Sequence, residues 1–159
     1  QTTGGTVISN QASASYSDGT NSYSVNSNTV TVTVANVASL TITPDGGSVP
    51  TVVAGQTNVD FTFTVTNSGN FPTQVRFPAG GAGIVPSASV TVTQAVIDTD
   101  GNGIDAGDID IFSNGSAELY PAAGPFLARN ASFNVVVRVN VSSSAAAGAT
   151  PIACRNSAT

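Results

Sequence analysis

Phe133-Asn-Val-Val-Val-Arg-Val-Asn-Val141 is the stretch whose reading decides the fold. Every second residue, from Phe133 through Val135, Val137 and Val139 to Val141, is apolar. A period of two places those side chains on one face of a β-strand. Asn134, Val136, Arg138 and Asn140 then face outward. Val59-Asp-Phe-Thr-Phe-Thr-Val-Thr66 repeats the pattern, with Val59, Phe61, Phe63 and Val65 opposite Asp60, Thr62, Thr64 and Thr66. Strands that are apolar on one face only must bury that face against a second layer.

Shorter runs surround these two. Leu40 and Ile42 form a strand that ends at Pro44-Asp45-Gly46-Gly47. Val75 and Phe77 form another. Val90, Val92 and Val96 lead into an acidic segment, and Ile109 and Ile111 lead out of it. Ser142 to Gly148 reads as a loop whose alanines could make one helical turn, and Thr150 to Thr159 as an incomplete strand. Val occurs 21 times and Leu three times, and Ser, Thr and Asn fill a third of the chain. β-Branched residues suit a pleated surface, and the small polar ones suit its solvent face and turns. The expected fold is all-β: an immunoglobulin-like β-sandwich over residues 37–159, preceded by a β-strand or hairpin extension over residues 1–36. The Cys-Trp-Cys signature of antibody domains is missing, since the chain has no Trp.

Composition excludes several functions. There is no Lys and no His, and the cations are Arg76, Arg129, Arg138 and Arg155. A net charge of −5 with no basic cluster argues against nucleic acid and anionic membranes as partners. No apolar run is long enough for a transmembrane segment. Without His, a Ser or Cys nucleophile lacks its usual base, and a catalytic zinc site lacks its usual ligands. Glu118 is the only Glu, so an Asp/Glu pair for glycoside hydrolysis is a remote alternative. The chain is therefore expected not to be an enzyme. It begins at Gln1 and contains no Met, which suggests a processed secreted protein or a fragment. Cys154 is alone and is read as a small buried residue, with an intermolecular disulfide as the alternative.

Five of the nine acidic residues fall between Asp98 and Asp110. So much negative charge repels itself unless a cation neutralises it, although a polar turn without metal is the plainer alternative. The segment Asp98-Thr-Asp-Gly-Asn-Gly-Ile-Asp-Ala-Gly-Asp108 resembles the first half of an EF-hand loop. That likeness implies oxygen ligands from Asp98, Asp100, Asn102 and the Ile104 carbonyl, with the sharp turn at Gly103. The residue in the place of the bidentate Glu is Ile109. With Asp105 and Asp108 added, the pattern resembles the aspartate-rich calcium repeats of thrombospondin-type extracellular modules. The expected cofactor is structural Ca²⁺.

A second resemblance bears on the whole chain. Phe61-Thr-Phe-Thr-Val-Thr-Asn-Ser-Gly-Asn70 resembles the strand-and-turn signature of the "conserved repeat domain" family of bacterial and archaeal surface proteins. Val135 to Gly148 resembles that family's closing strand and small-residue loop. Thr6 to Tyr16 and Ser27 to Val34 resemble the segment that often precedes such a repeat. The resemblance implies an extracellular, cell-surface location and an immunoglobulin-like fold, and no reaction. Family members are usually tandem arrays, whereas one unit is present here.

In the N-terminal segment, Ile8, Asn10, Ala12, Ala14 and Tyr16 are expected on one strand face, with a hairpin turn at Asp18-Gly19. Tyr23, Val25, Val30, Val32 and Val34 follow. Val7 to Tyr16 carries neither charge nor Pro, the usual protections of a sheet edge. It either pairs within its own domain or joins a neighbouring subunit. The low charge and the incomplete-looking C-terminal strand favour the second, with Val7, Ile8, Ala12, Ala14 and Tyr16 as the assembly strand and Gly4-Gly5 leaving the terminus free to adapt. Asn114, Asn130 and Asn140 head N-glycosylation sequons, which would make glycans a further partner, with chance matches in so Asn- and Ser-rich a chain as the alternative. These readings converge on a structural subunit of an extracellular filament or surface layer, its partners copies of itself. A calcium-dependent adhesion or carbohydrate-binding module of a larger protein is the alternative.

Overall fold

The alternating runs form antiparallel strands. The computed structural model describes residues 1–44 and 51–146 in full and residues 152–154 as backbone. The Asp45-Gly46-Gly47 turn, the end of the Ser142–Gly148 loop, the flanks of the C-terminal strand and the Cys154 side chain lie outside the described residues. In chain order the strands are β1 (Val7–Asn10), β2 (Ser13–Ser17), β3 (Ser22–Asn26), β4 (Val30–Thr33), β5 (Leu40–Thr43), β6 (Val59–Asn67) and β7 (Val75–Phe77). A 3-10 turn at Ala79–Gly81 separates β7 from β8 (Ile84–Pro86). Then come β9 (Val90–Asp98), β10 (Ile109–Asp110), β11 (Glu118–Tyr120), β12 (Ser132–Val141) and β13 (Ile152–Cys154).

The organising element is a five-stranded sheet in the order β10-β9-β12-β6-β5. The two long alternating runs lie side by side in it, with Phe133 opposite Val65, Val135 opposite Phe63 and Val137 opposite Phe61. Their inward residues form the core as expected: Phe61, Phe63, Val65, Val135, Val137 and Val139 are all buried. Val75, Ile111 and Leu127 belong to the same buried cluster, and Phe77, Ile84 and Tyr120 pack against it from the partly exposed side. Phe133 is the aromatic hinge of this packing, in edge contact with Phe77 and tilted against Tyr120. Two small ladders, β7–β11 and β8–β13, carry the opposing residues.

Two details depart from simple alternation. Opposite β12, the register of β9 shifts by one residue between Arg138 and Val139, leaving Thr93 as the extra residue of a bulge. The bulge inverts parity, so Val90 and Val92 face the core together with Ala95 and Ile97. Val96 shares the outer face with its partner Val136. Val136 was expected outward, and it is, yet it is only 2% exposed. It sits mid-sheet between Val96 and Thr62, with Asn134 and Arg138 before and after it on the strand. Arg138 spans this face to Asp60 through two hydrogen bonds of 2.6 and 2.7 Å.

The N-terminal residues form a two-stranded arm. β1 pairs with β4, and β2 with β3, around the expected turn, where Gly19 has φ +92°. The segment Val7 to Tyr16 is therefore two short strands and not one. Between the two ladders, Gln11 and Ala12 face three residues, Ser27, Asn28 and Thr29. That one-residue difference reconciles the even-numbered apolar positions Val30 and Val32 with the odd-numbered Tyr23 and Val25. Ile8 thus lies opposite Val32, Ala14 opposite Val25, and Tyr16 opposite Tyr23, whose ring it stacks on at 5.1 Å. From Gly5 to Thr33 every residue is exposed.

Candidate functional site

The acidic segment is the loop between β9 and β10. Ile109 and Asp110 pair with Ile97 and Val96, so residues 99–108 close a hairpin at the end of the main sheet. Asp98 is the last residue of β9, opposite Asn134 of β12, and is 7% exposed. The rigid sheet therefore fixes its carboxylate. The loop folds back onto it: Gly101 N–H donates to Asp98 Oδ1 at 2.6 Å and Gly103 N–H to Oδ2 at 3.3 Å. Both glycines have left-handed backbone, at φ +82° and +98°, which a side chain would disfavour. Asp108 Oδ1 accepts from Thr99 N–H and its Oδ2 from Asp105 N–H, both at 3.0 Å.

These bonds bring one carboxylate oxygen from each of Asp98, Asp100 and Asp108 within 4.8 Å of one another. Two Ca²⁺–oxygen bonds of about 2.3–2.6 Å span roughly that separation, so a single cation can touch all three. The donor set is all oxygen and mostly anionic, which suits a hard divalent cation and not zinc or copper. Asp98, Asp100 and Asp108 could therefore hold a metal ion.

The other expected ligands stand differently. Asn102 turns its Nδ2 toward Asp100 Oδ2 (2.7 Å) and Asp105 Oδ2 (3.1 Å), tying two carboxylates together as a donor. Asp105 accepts from Gly107 N–H and Asn102, and these bonds hold its carboxyl below the usual carboxylate range. Ile104 is half-buried between Gly103 and Asp105. Asp110 lies past the loop and turns away to cap Phe112 N–H, Ser113 N–H and the Ser113 hydroxyl. The Ser113 hydroxyl is the largest cause of its lowered pKa.

At the same end of the main sheet, Asn67 and Asn70 form a polar cluster that sequence reading treated as a mere turn. Both are buried, at 0% and 2% exposure. Asn67 Nδ2 donates to the carbonyls of Phe71 and Leu127, and its Oδ1 accepts from Gly69 N–H. Asn70 holds the root of the arm: its Oδ1 accepts from Val37 N–H at 2.7 Å and its Nδ2 donates to Ala35 C=O at 2.9 Å. Its own carbonyl accepts from Gly4 N–H. A Cβ on Gly4 would lie 2.2 Å from Asn36 Oδ1, and one on Gly69 would lie 2.6 Å from the Val37 carbonyl. Gly4 was expected to leave the terminus loose; instead it is clamped. Arg129 Nη1 further binds the Gln1 carbonyl at 2.6 Å. The arm is anchored at its base and uncovered along its length.

Of the proposed assembly residues, Val7, Ile8 and Tyr16 are 57%, 53% and 62% exposed, and Ala12 and Ala14 are exposed as well. Of the sequon residues, Asn130 is exposed in a turn. The Nδ2 of Asn114, the atom a glycan would take, is buried without a partner, and Asn140 Oδ1 accepts from Asn58 N–H. No helix among the described residues is long and apolar enough to cross a membrane. Comparison with family models, with curated proteins and with solved structures gave no match.

Proposed function

We propose that this chain is a structural subunit of an extracellular filament or surface layer, and that copies join through the N-terminal arm by β-strand addition. The observation that carries this reading is the arm itself. Ile8, Tyr16, Tyr23, Val25, Val30 and Val32 are 42–62% exposed on a two-stranded ribbon, while the long strands β6, β9 and β12 of the same chain bury their valines, and Val37, Val53 and Val85 are exposed outside them. An exposed apolar ribbon with uncharged edges is the kind of surface that pairs with another chain. A repeating head-to-tail contact of this type propagates instead of closing. The resemblance to the conserved repeat domain family supports a surface location, and an immunoglobulin-like sandwich is the architecture we infer for the body. Ca²⁺ is the cation we assign to Asp98, Asp100 and Asp108, with a structural role. The reading contains no catalytic step.

The test is assembly of the full chain against a chain lacking residues 1–36, followed by sedimentation and negative-stain microscopy with Ca²⁺ present. Deletion of the whole arm is preferred to loss of residues 1–16, which would strand β3 and β4. The expected result is filaments or sheets for the full chain and a folded monomer for the deletion. A full chain that stays monomeric at high concentration overturns the proposal and favours an isolated adhesion module.

A further inference from the structure

The body contains a seam that the arm of another copy would fit. β5 ends the five-stranded sheet, and β7 ends the β7–β11 ladder, so among the described residues each has one edge without a strand partner. Between them opens a crevice of about 190 Å³. Its walls are mostly apolar, with Leu40 and Ile42 from β5, Phe63 and Val65 from β6, and Val75 and Phe77 from β7, and Gln74 and Arg76 also line it. Such a seam asks for a strand and not a small molecule. The two edges carry backbone donors and acceptors along their length, and the floor accepts only apolar side chains.

We infer that this seam is the acceptor for the arm of a second copy, with the β1–β4 ladder adding to the free edge of β5. This deepens the self-assembly reading and rests on it. Three features of the chain select the occupant. First, the ladder presents Ile8, Val30 and Val32 with Asn10 on one face and Ser9, Thr31 and Thr33 with Val7 on the other, so adding it to β5 continues a mainly apolar inner face and a mainly polar outer one. Second, the arm and the crevice each carry one charged side chain, of opposite sign: Asp18 in the turn beyond the β1–β4 ladder is the single one in residues 1–36, and Arg76 on β7 is the single one lining the crevice. Arg76 is exposed and makes no salt bridge among the described residues. Third, the sizes agree. Six of the arm's seven large exposed apolar side chains, all but Val7, expose on the order of 400 Å². That is about half of the roughly 800 Å² per partner in a standard interface, which leaves the backbone edge to contribute the rest. The arm leaves its own copy uncovered, so its own seam is not what shields it.

Disulfide trapping tests the geometry. In a Cys154→Ser background, Ser9→Cys or Thr31→Cys is placed on the arm, and Thr41→Cys or Thr43→Cys on β5. All four positions are exposed and polar, so folding is preserved. Arm and β5 variants are mixed, allowed to assemble and mildly oxidised. The expected product is a covalent dimer of one arm variant with one β5 variant, and a ladder of multimers from a chain carrying both cysteines. Wild-type-like filaments with no arm–β5 bridge at any of the four pairings overturn the acceptor assignment and leave self-assembly standing. A bridge formed only within one chain also overturns it. Absence of any assembly, before cysteines are introduced, overturns the underlying reading instead.

Discussion

Truncating Phe63 to Ala should separate the core from the surface along a single strand. Phe63 is 7% exposed, faces Val135 across β6 and β12, and forms part of the wall of the crevice beside β5. Deleting a buried phenyl ring costs about 3–5 kcal/mol, the transfer loss plus the void left behind. Here the void opens into an existing crevice of about 190 Å³, which water or neighbouring side chains can enter. The loss should therefore fall near the lower end, at about 3 kcal/mol. For a chain of this size that corresponds to a drop in Tm of roughly 6–12 °C. Thr62 is the adjacent residue on the opposite, exposed face, and Thr62→Ala should cost less than about 1 kcal/mol. Val136→Ala, outward-facing yet 2% exposed, should fall between the two. Urea denaturation of the three variants, monitored by far-UV circular dichroism with equal m-values, gives the ranking. Equal losses for Phe63→Ala and Thr62→Ala would refute the register and with it the assignment of the core face.

Two further outcomes test the arm. Asn70→Ala removes the partners of Val37 N–H and Ala35 C=O, so protease cleavage near residues 34–38 should accelerate while the unfolding free energy of the body falls by only about 1–3 kcal/mol; cleavage unchanged from wild type would show that Asn70 does not hold the arm. At the arm's tip, the backbone N–H groups of Asn21 and Thr20 and the Tyr23 hydroxyl bind Asp18 and lower its pKa from 3.8 to about 2. A depressed carboxyl pKa stabilises the folded form above the unfolded value. The tip turn should therefore keep its full stability down to pH 3.8 and lose it as the pH falls through about 2. NMR shifts of Thr20 and Asn21 should follow that titration, and Asp18→Asn should abolish it.

The sequence revealed the body more fully than the arm, and the reasons are physical. Alternation reports a half-buried strand, and β6 and β12 are half-buried strands, so Phe61 through Val65 and Phe133 through Val141 were placed correctly. The same alternation in Ile8, Val30 and Val32 says that a face is apolar without saying what covers it. The parity change in β9 was invisible because one extra residue, Thr93, leaves no compositional mark. Asn67 and Asn70 look like ordinary turn residues, and their burial follows only when the arm root folds across them. At the acidic loop, spacing singled out Asp98 and Asp100, the thrombospondin-type resemblance added Asp108, and the hairpin brings the three together. It could not foresee that Asn102 would use its amide nitrogen to bridge Asp100 and Asp105. A threonine in place of Val30 or Val32 would hold the β1–β4 ladder as Thr31 and Thr33 do, so the valines are not required by the arm's own hydrogen bonding. That surplus of apolar surface is what directs attention beyond the single chain.

The acidic loop and the arm root stand at the same end of the main sheet, and this predicts how calcium should act. Asn134 of β12 pairs with Asp98 on one side and with Thr64 on the other, and Asn67 N–H donates to the Ala131 carbonyl just before β12 begins. Asp98 and the start of the Asn67–Asn70 cluster are thus two strand spacings of about 4.8 Å and three residues of β6 apart, on the order of 14 Å. Asp98, Asp100 and Asp108 hold carboxylate oxygens within 4.8 Å of one another, and that like charge would repel wherever no cation neutralises it. Ca²⁺ would remove the repulsion and stiffen the end from which the arm departs. Chelation should therefore lower the Tm, and added Ca²⁺ should restore it at roughly 10⁻⁴–10⁻³ M, with Mg²⁺ a poor substitute because it demands a tighter octahedron. Assembly should be more sensitive than folding, since the arm must be presented in a fixed direction. Asp98→Asn should remove the calcium response of both the melting curve and the sedimentation assay, and should do so without disturbing the Phe63 core. A Tm indifferent to EDTA, together with no metal in elemental analysis of washed protein, would leave the loop as a self-capped polar turn.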